Sequence, residues 1–170
     1  SNAVKIVRAL PNNNIFFIPD HNLGSFVAKQ VPEKNIILNG GCCPIHSKIT
    51  ATQVYAELEK HPNAEVLTHP ECDASVIELS NYIGSTADII AYAKNSDVSE
   101  FIICTEDGVD FKLITDNPDK RFYYPNPHPC CADMKLNTLA AILSVLEKED
   151  KEVTVDEDIR RRARIPLDRM

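Results

Sequence analysis

The chain has 170 residues, 44% of them apolar, with 11 prolines, 6 cysteines and a formal charge of −7. That length suits one ordinary domain or two small ones and buries most of its apolar surface without disulfides. The acidic balance argues against a nucleic-acid or anionic-membrane partner, since neither polyanion gains from a negative face. No run of ~18 apolar residues occurs, and the N-terminus lacks the basic-then-apolar pattern of a signal peptide, so the expected location is cytoplasmic. There, cysteines point to buried thiols, metal ligands or catalytic groups rather than disulfides. Ser1-Asn2-Ala3 reads either as the scar of a cleaved tag or as native sequence.

In chain order, residues 4–10 predict a short helix with Val4, Val7 and Leu10 on one side. The continuous apolar run Ile15-Phe16-Phe17-Ile18 predicts a parallel strand buried on both faces. A polar corner, Pro19-Asp20-His21-Asn22, leads into a helix over 23–30. A strand at 35–38 runs into Asn39-Gly40-Gly41-Cys42-Cys43-Pro44-Ile45-His46, and an amphipathic helix over 50–60 follows with Thr50 as N-cap. The strand Glu65–Thr68 leads into His69-Pro70-Glu71-Cys72. A helix at 74–79, a strand at 81–83, a helix at 87–94, a strand at 101–104 and a helix through Ile114 come next. A strand at 122–124 then runs into Pro125-Asn126-Pro127-His128-Pro129-Cys130-Cys131. A helix over 135–147, a strand at 152–155 and a helix over 156–164 capped by Asp156 close the list. The basic run Arg160-Arg161-Arg162-Ala163-Arg164 reads as a solvated helix face.

This alternation predicts an α/β protein, tandem three-layer αβα domains with mostly parallel sheets. The order repeats: Pro32-Glu33-Lys34-Asn35-Ile36-Ile37 lines up with Pro118-Asp119-Lys120-Arg121-Phe122-Tyr123. A period of about 90 residues fits two domains of one design rather than a solenoid. The expected division lies near Asn81, giving domains 1–80 and 81–170.

In open α/β sheets, ligands gather beyond the carboxyl ends of the strands. Asp20-His21-Asn22, the stretch from Cys43 to His46, His69 to Glu71, Ser85-Thr86, Thr105-Glu106 and Cys131 all follow a predicted strand. Turns and helix caps also demand polar residues there, and Ser85 and Thr86 have that simpler explanation. His69 and Glu71 flank a proline, so an imidazole and a carboxylate extend from one rigid segment and can share proton transfer. Cys72 and Cys104 read as packing thiols. Only one of two adjacent side chains faces a given site, so each Cys-Cys pair offers one candidate and one bystander. A thiolate at a helix N-terminus suits metal. One per domain from two domains makes two ligands, and a third would need another copy of the repeat.

Taken together and in order, Pro19-Asp20-His21-Asn22-Leu23-Gly24, Gly41-Cys42-Cys43-Pro44-Ile45-His46, His69-Pro70-Glu71-Cys72, Gly84-Ser85-Thr86, Thr105-Glu106-Asp107-Gly108, Cys131-Ala132-Asp133-Met134-Lys135 and Arg169-Met170 resemble the quinolinate synthase family, the A protein of NAD biosynthesis. The resemblance covers the whole chain but only the later two thirds of the family. It implies a fold of three α/β domains related by pseudo-threefold symmetry, of which the first is absent here. It further implies a 4Fe-4S cluster held by one cysteine per domain, with one iron open to substrate. Cys43 and Cys131 match the second and third ligands; the first has no counterpart. The implied reaction is a transferase-type condensation of iminoaspartate with dihydroxyacetone phosphate to quinolinate, with loss of phosphate and two waters. His69 and Glu71 are matched to proton transfer, His46 to a catalytic pocket donor, and Ser85 and Thr86 to anion donors. Asn2-Ala3 fits the end of the family's Thr-Ser-x-Asn-Ala segment, which makes Asn2 a substrate-binding candidate. L-Aspartate oxidase or dehydrogenase is the implied partner. A fragment of this kind is expected to be inactive alone and to hold no stable cluster. Two other readings stand beside it: a non-catalytic two-domain module binding metal or a small carboxylate, and a 4Fe-4S hydro-lyase of the aconitase type.

Overall fold

A computed structural model describes residues 2–149 and 151–169, so Ser1 and Met170, both part of motifs quoted above, lie outside the described residues. The chain divides into two units, 1–131 and 132–170.

The first unit contains all six strands of the described residues: β1 Asn14–Phe17, β2 Asn35–Leu38, β3 Glu65–Thr68, β4 Tyr82–Ile83, β5 Glu100–Cys104 and β6 Arg121–Tyr123. Every pairing is parallel. β1 and β2 form a two-stranded sheet with Asn14 opposite Asn35 and Phe17 opposite Leu38. The other sheet runs β4-β3-β5-β6, with Thr68 opposite Cys104 and Ile102 opposite Tyr123. Parallel neighbours need crossovers, supplied here by α2 His21–Gln30, α4 Ala74–Ile77, α5 Thr86–Asn95 and α6 Asp110–Asp116, while α1 Ala3–Ala9 precedes β1 and α3 Ala51–Lys60 lies between the strands of the two sheets.

The four-stranded sheet has the expected three layers. Along β5, Ile102 and Cys104 face a core with Val54 of α3 and Val76 of α4, while Phe101 and Ile103 face Ile89 and Ala93 of α5 and Leu113 of α6. This is the two-residue alternation of a strand with helices on both faces. The two-stranded sheet differs from expectation. Ile15, Phe17 and Ile36 pack beneath Val7 of α1, Val27 of α2 and Val31 at the C-cap of α2. On the other face Phe16 is 62% exposed and Ile37 49%. An apolar run cannot distinguish a strand covered twice from one covered once. Gly24 sets how closely α2 lies on this sheet, because a Cβ there would come within 2.7 Å of Leu38 Cδ2 and 2.9 Å of Phe17 Cδ1.

The expected division near Asn81 does not separate two sheets. β3 lies before it, β4 and β5 after it, and all three share one ladder. α3 follows β2 in sequence but covers the larger sheet, so the change of sheet falls in the segment between β2 and α3 rather than near Asn81. Local signals did position the helix ends. Thr50 and Gln53 form a reciprocal capping box at α3, and Ser85 and Asp88 do the same at α5.

The second unit contains α7 Leu139–Lys148 and α8 Glu157–Leu167. Thr138 accepts the Ala141 N–H and so starts α7 later than the expected 135. The expected strand at 152–155 is absent: those residues have no regular secondary structure and no ladder partner among the described residues, and Val153 is 87% exposed. Asp156 caps α8 as expected, and Arg160, Arg161 and Arg162 pair with Glu157 and Asp158 on an exposed face. No helix of the described residues is long and apolar enough to cross a membrane.

Ile102 touches the core that joins α3 and β3 to β5, so Ile102→Ala should cost about 2–5 kcal/mol of stability. Amide exchange in β3 and β5 should accelerate together; acceleration confined to residues after 81 would instead support a division there.

Candidate active site at the strand ends

The carboxyl ends of β1, β2, β3 and β5 carry the groups singled out from the sequence, and the fold brings several of them into contact. His46 opens a short 3-10 turn, His46–Lys48, after the β2 corner, and its side chain is buried. Its Nε2 lies 3.0 Å from the hydroxyl of Thr105, just past β5. Its Nδ1 lies 3.0 Å from Glu71 Oε2, beyond β3. The ring stacks on that of His69, with centroids 4.4 Å apart. An imidazole from the smaller sheet is thereby held by two strand ends of the larger one. Asn22, at the start of α2, adds a second link by donating its side-chain amide to the Glu71 carbonyl at 3.0 Å.

His69-Pro70-Glu71 curls so that the Glu71 N–H donates to His69 Nδ1 at 3.3 Å. A nitrogen that accepts this bond carries no proton, which leaves Nε2 as the N–H of the neutral ring. The Glu71 carboxylate therefore sits between two imidazoles, 3.0 Å from one Nδ1 and 3.8 Å from the other. Burial, reinforced by nearby His46, pushes the His69 pKa down to about 4. The interaction with His46 holds the Glu71 carboxyl below its ordinary range despite partial burial. A neutral imidazole and an ionised carboxylate thus lie side by side at pH 7.

The thiols divide into three kinds. Cys72 and Cys104 belong to the core; burial raises both, Cys104 to about 12, and the Cys72 thiol donates to the Cys104 carbonyl. Cys42 and Cys130 are exposed. Cys43 and Cys131 are half-buried and share a backbone arrangement. The Cys43 N–H donates to Asp20 Oδ2 at 2.7 Å, and the His21 N–H donates to the Gly41 carbonyl at 2.7 Å. In the other corner the Cys131 N–H donates to Glu106 Oε1 at 3.0 Å, and the Asp107 N–H donates to the Pro129 carbonyl at 2.9 Å. The same two bonds, placed the same way, join β1 to the β2 corner and β5 to the β6 corner. Gly41 is needed at the first, because a Cβ there would stand 2.6 Å from the Pro19 carbonyl oxygen.

Cys43, His46 and Glu71 offer a sulfur, a nitrogen and an oxygen all within 4.8 Å of one another, a donor set that could hold a metal. Ser85 and Thr86 do not join this group: the Ser85 hydroxyl is engaged with Asp88 in the capping box, and Thr86 is the exposed first residue of α5. Ser85 does border an 80 Å³ cavity that Ala3 and Val4 also line, which brings the start of α1, next to Asn2, to the β4–α5 junction. Asn2 stands at the N-cap of α1 without a side-chain capping bond. In the sequence, Thr105, Asp20 and Glu106 are marked only as polar residues after strands. Their strand-end position was the available signal, but their partners are 59, 23 and 25 residues away in sequence.

The model of the family described as quinolinate synthetase A protein matches residues 1–170. The chain belongs to that family. Quinolinate synthase of Caldicellulosiruptor bescii is 50% identical over the whole chain, and that of Caldicellulosiruptor saccharolyticus 48%. Quinolinate synthase of Clostridioides difficile is 43% identical over 96% of the chain. The chain spans about half the length of these relatives: 56%, 56% and 54%.

Acid should weaken this site from two directions. The folded-state pKa of His69 lies below its unfolded value, so its contribution is complete above about pH 6.5 and declines as pH falls towards 4. The depressed Glu71 loses its contribution in the same direction, as pH drops below 4.5 and through its folded value. Urea titrations from pH 7 to 4 should show falling stability, and His69→Gln should flatten the portion above pH 4.5. An unchanged slope in that variant would contradict the assignment.

Proposed function

We propose that this chain carries the acid–base wall and two cluster ligands of a quinolinate synthase, which condenses iminoaspartate with dihydroxyacetone phosphate to quinolinate in NAD biosynthesis. Family membership supports the reaction class. The observation that carries the residue roles is the contact group of His46, His69, Glu71 and Thr105 around the Cys43 corner. In this reading the protein works in the cytoplasm, without nucleic acid or membrane, and receives iminoaspartate from an L-aspartate oxidase or dehydrogenase.

Glu71 takes and returns protons during enolisation and dehydration, as its ionised state and its place between two imidazoles suit it to do. His69 presents its Nε2–H as a donor from a ring that burial keeps neutral. His46, fixed by Thr105 and Glu71, holds the orientation of the carboxylate. Ser85, Thr86 and Asn2 bind the anionic ends of the substrates. This role requires the Ser85 hydroxyl to serve a ligand as well as its helix cap, so of the three assignments it depends most on rearrangement.

Cys43 and Cys131 fit a 4Fe-4S cluster: both thiols are half-buried at strand ends, on backbone tied to the neighbouring strand, whereas Cys72 and Cys104 are sealed into the core. When bound, such a cluster offers an open iron that acts as a Lewis acid towards carboxylate and hydroxyl oxygens. Two thiol ligands fall short of the three that the arrangement requires.

In a polypeptide of the relatives' full length, Glu71→Gln should lower kcat by about 10²–10⁴-fold with little change in KM; wild-type kcat would overturn the role. Anaerobic iron-sulfur reconstitution of the 170-residue chain alone should give little brown chromophore and no quinolinate, and a stoichiometric cluster with turnover would overturn the two-ligand account. The N, O and S donors of Cys43, His46 and Glu71 favour a second reading, a metal-binding module. Bound zinc that disappears in Cys43→Ser would support it.

A further inference from the structure

We propose that Asp20 and Glu106 are positioning residues of the two cysteine corners, each using a buried carboxylate to fix the backbone of Cys43 or Cys131 at the adjoining strand end. The inference rests on the reading of those two cysteines as cluster ligands and adds the groups that hold them.

Both carboxylates are nearly sealed from solvent, Asp20 at 3% exposure and Glu106 at 7%. Burying a charged carboxylate is costly unless its oxygens are satisfied. In both residues the two oxygens divide the same work. Asp20 Oδ1 accepts the Leu23 N–H at 2.7 Å, at the start of α2, and Oδ2 accepts the Cys43 N–H. Glu106 Oε2 accepts the Gly108 N–H at 2.7 Å, in the 3-10 turn Asp107–Val109, and Oε1 accepts the Cys131 N–H. One oxygen serves the residue's own corner and the other reaches the thiol-bearing corner of the adjacent strand. These are charge-assisted bonds, stronger than neutral ones.

The backbone bond one residue further on, from His21 to Gly41 or from Asp107 to Pro129, supplies a second point of attachment. Two attachments spanning the cysteine and the residue two before it fix the direction in which the cysteine side chain leaves the backbone. The device appears once in each sheet, and in each it holds the second cysteine of the pair by its own N–H. Asp differs from Glu by one methylene. The two corners also differ, a Gly-Gly approach in one and a Pro-rich approach in the other, yet the same atoms are joined. A merely structural cap would need only the bonds to Leu23 or Gly108.

Alkylation of individual cysteines tests this without any cluster. The reduced chain is treated with iodoacetamide under argon, and each site is followed by fragment mass spectrometry. Asp20→Ala should accelerate Cys43 by about ten- to a hundredfold, the scale of one lost charge-assisted hydrogen bond, and leave Cys131 unchanged. Glu106→Ala should do the reverse. Cys72 and Cys104 report on the fold, since they react only if the core opens. If an alanine variant exposes them, Asp20→Asn and Glu106→Gln, which keep one acceptor oxygen, are read by the same selectivity. Equal acceleration of Cys43 and Cys131, or none, would overturn the proposal. In the full-length holoenzyme, the same variants should shorten the air lifetime of the cluster's visible absorbance several-fold; an unchanged lifetime would overturn the cluster-holding role. Cys43→Ala and Cys131→Ala provide the separate control: cluster content unaffected by them would refute the ligand reading while leaving the alkylation result to judge the clamps.

Discussion

A buried imidazole needs polar neighbours for its ring nitrogens, and those of His46 lie on a sheet other than its own: Nε2 is bonded to Thr105, and Nδ1 faces the Glu71 carboxylate. It belongs to the corner after β2, but its neighbours are Thr105 beyond β5 and Glu71 beyond β3. Without those partners the ring would be a buried polar group at a net cost, and together with the Asn22 bond to the Glu71 carbonyl these contacts bring Cys43 and Glu71 to the same place. The arrangement of the first unit serves this meeting. All its strands are parallel, so their carboxyl ends carry the corners that hold these groups, and α3 crosses from the smaller sheet to cover the larger one.

The electrostatics follow from the same crowding. Two stacked imidazoles and a carboxylate share one partly dry site, so protonating His69 is disfavoured while Glu71 remains ionised. That division into a neutral donor and a charged acceptor is the usual basis of proton transfer near pH 7. It arises here from the burial of His69 and the interaction of Glu71 with His46 rather than from any unusual residue type. The thiols are sorted by the same physics. Those in the apolar core are driven towards the neutral form, and those at the strand ends are held by backbone bonds to carboxylates.

The paired carboxylates also give physical meaning to the internal repeat. Repeated sequence showed as matching strands and matching Cys-Cys corners, but the matching bonds are made by residues of different type: Asp20 with His21 in one copy and Glu106 with Asp107 in the other. What recurs is the position of an acceptor relative to a strand end. A comparison of residue identities therefore passes over it, and a comparison of hydrogen bonds finds it.

Much of this was determined by the sequence alone. Apolar runs and capping residues marked β2 and β3 and the starts of α3, α5 and α8, because a strand's hydrophobicity and a helix cap are local properties. The strand-end placement of His46, His69, Glu71, Cys43 and Cys131 was equally legible, and so was the family. Tertiary structure alone decided which sheet each element joined. It moved α3 and β3 across the expected division near Asn81, left one face of the β1–β2 pair open, and denied residues 152–155 a strand. A strand exists only with a partner, and partners are chosen by packing between distant segments. For the same reason only the fold could join His46 to Thr105, Asp20 to Cys43 and Glu106 to Cys131: hydrogen bonds depend on distances in space, and sequence spacing does not encode them.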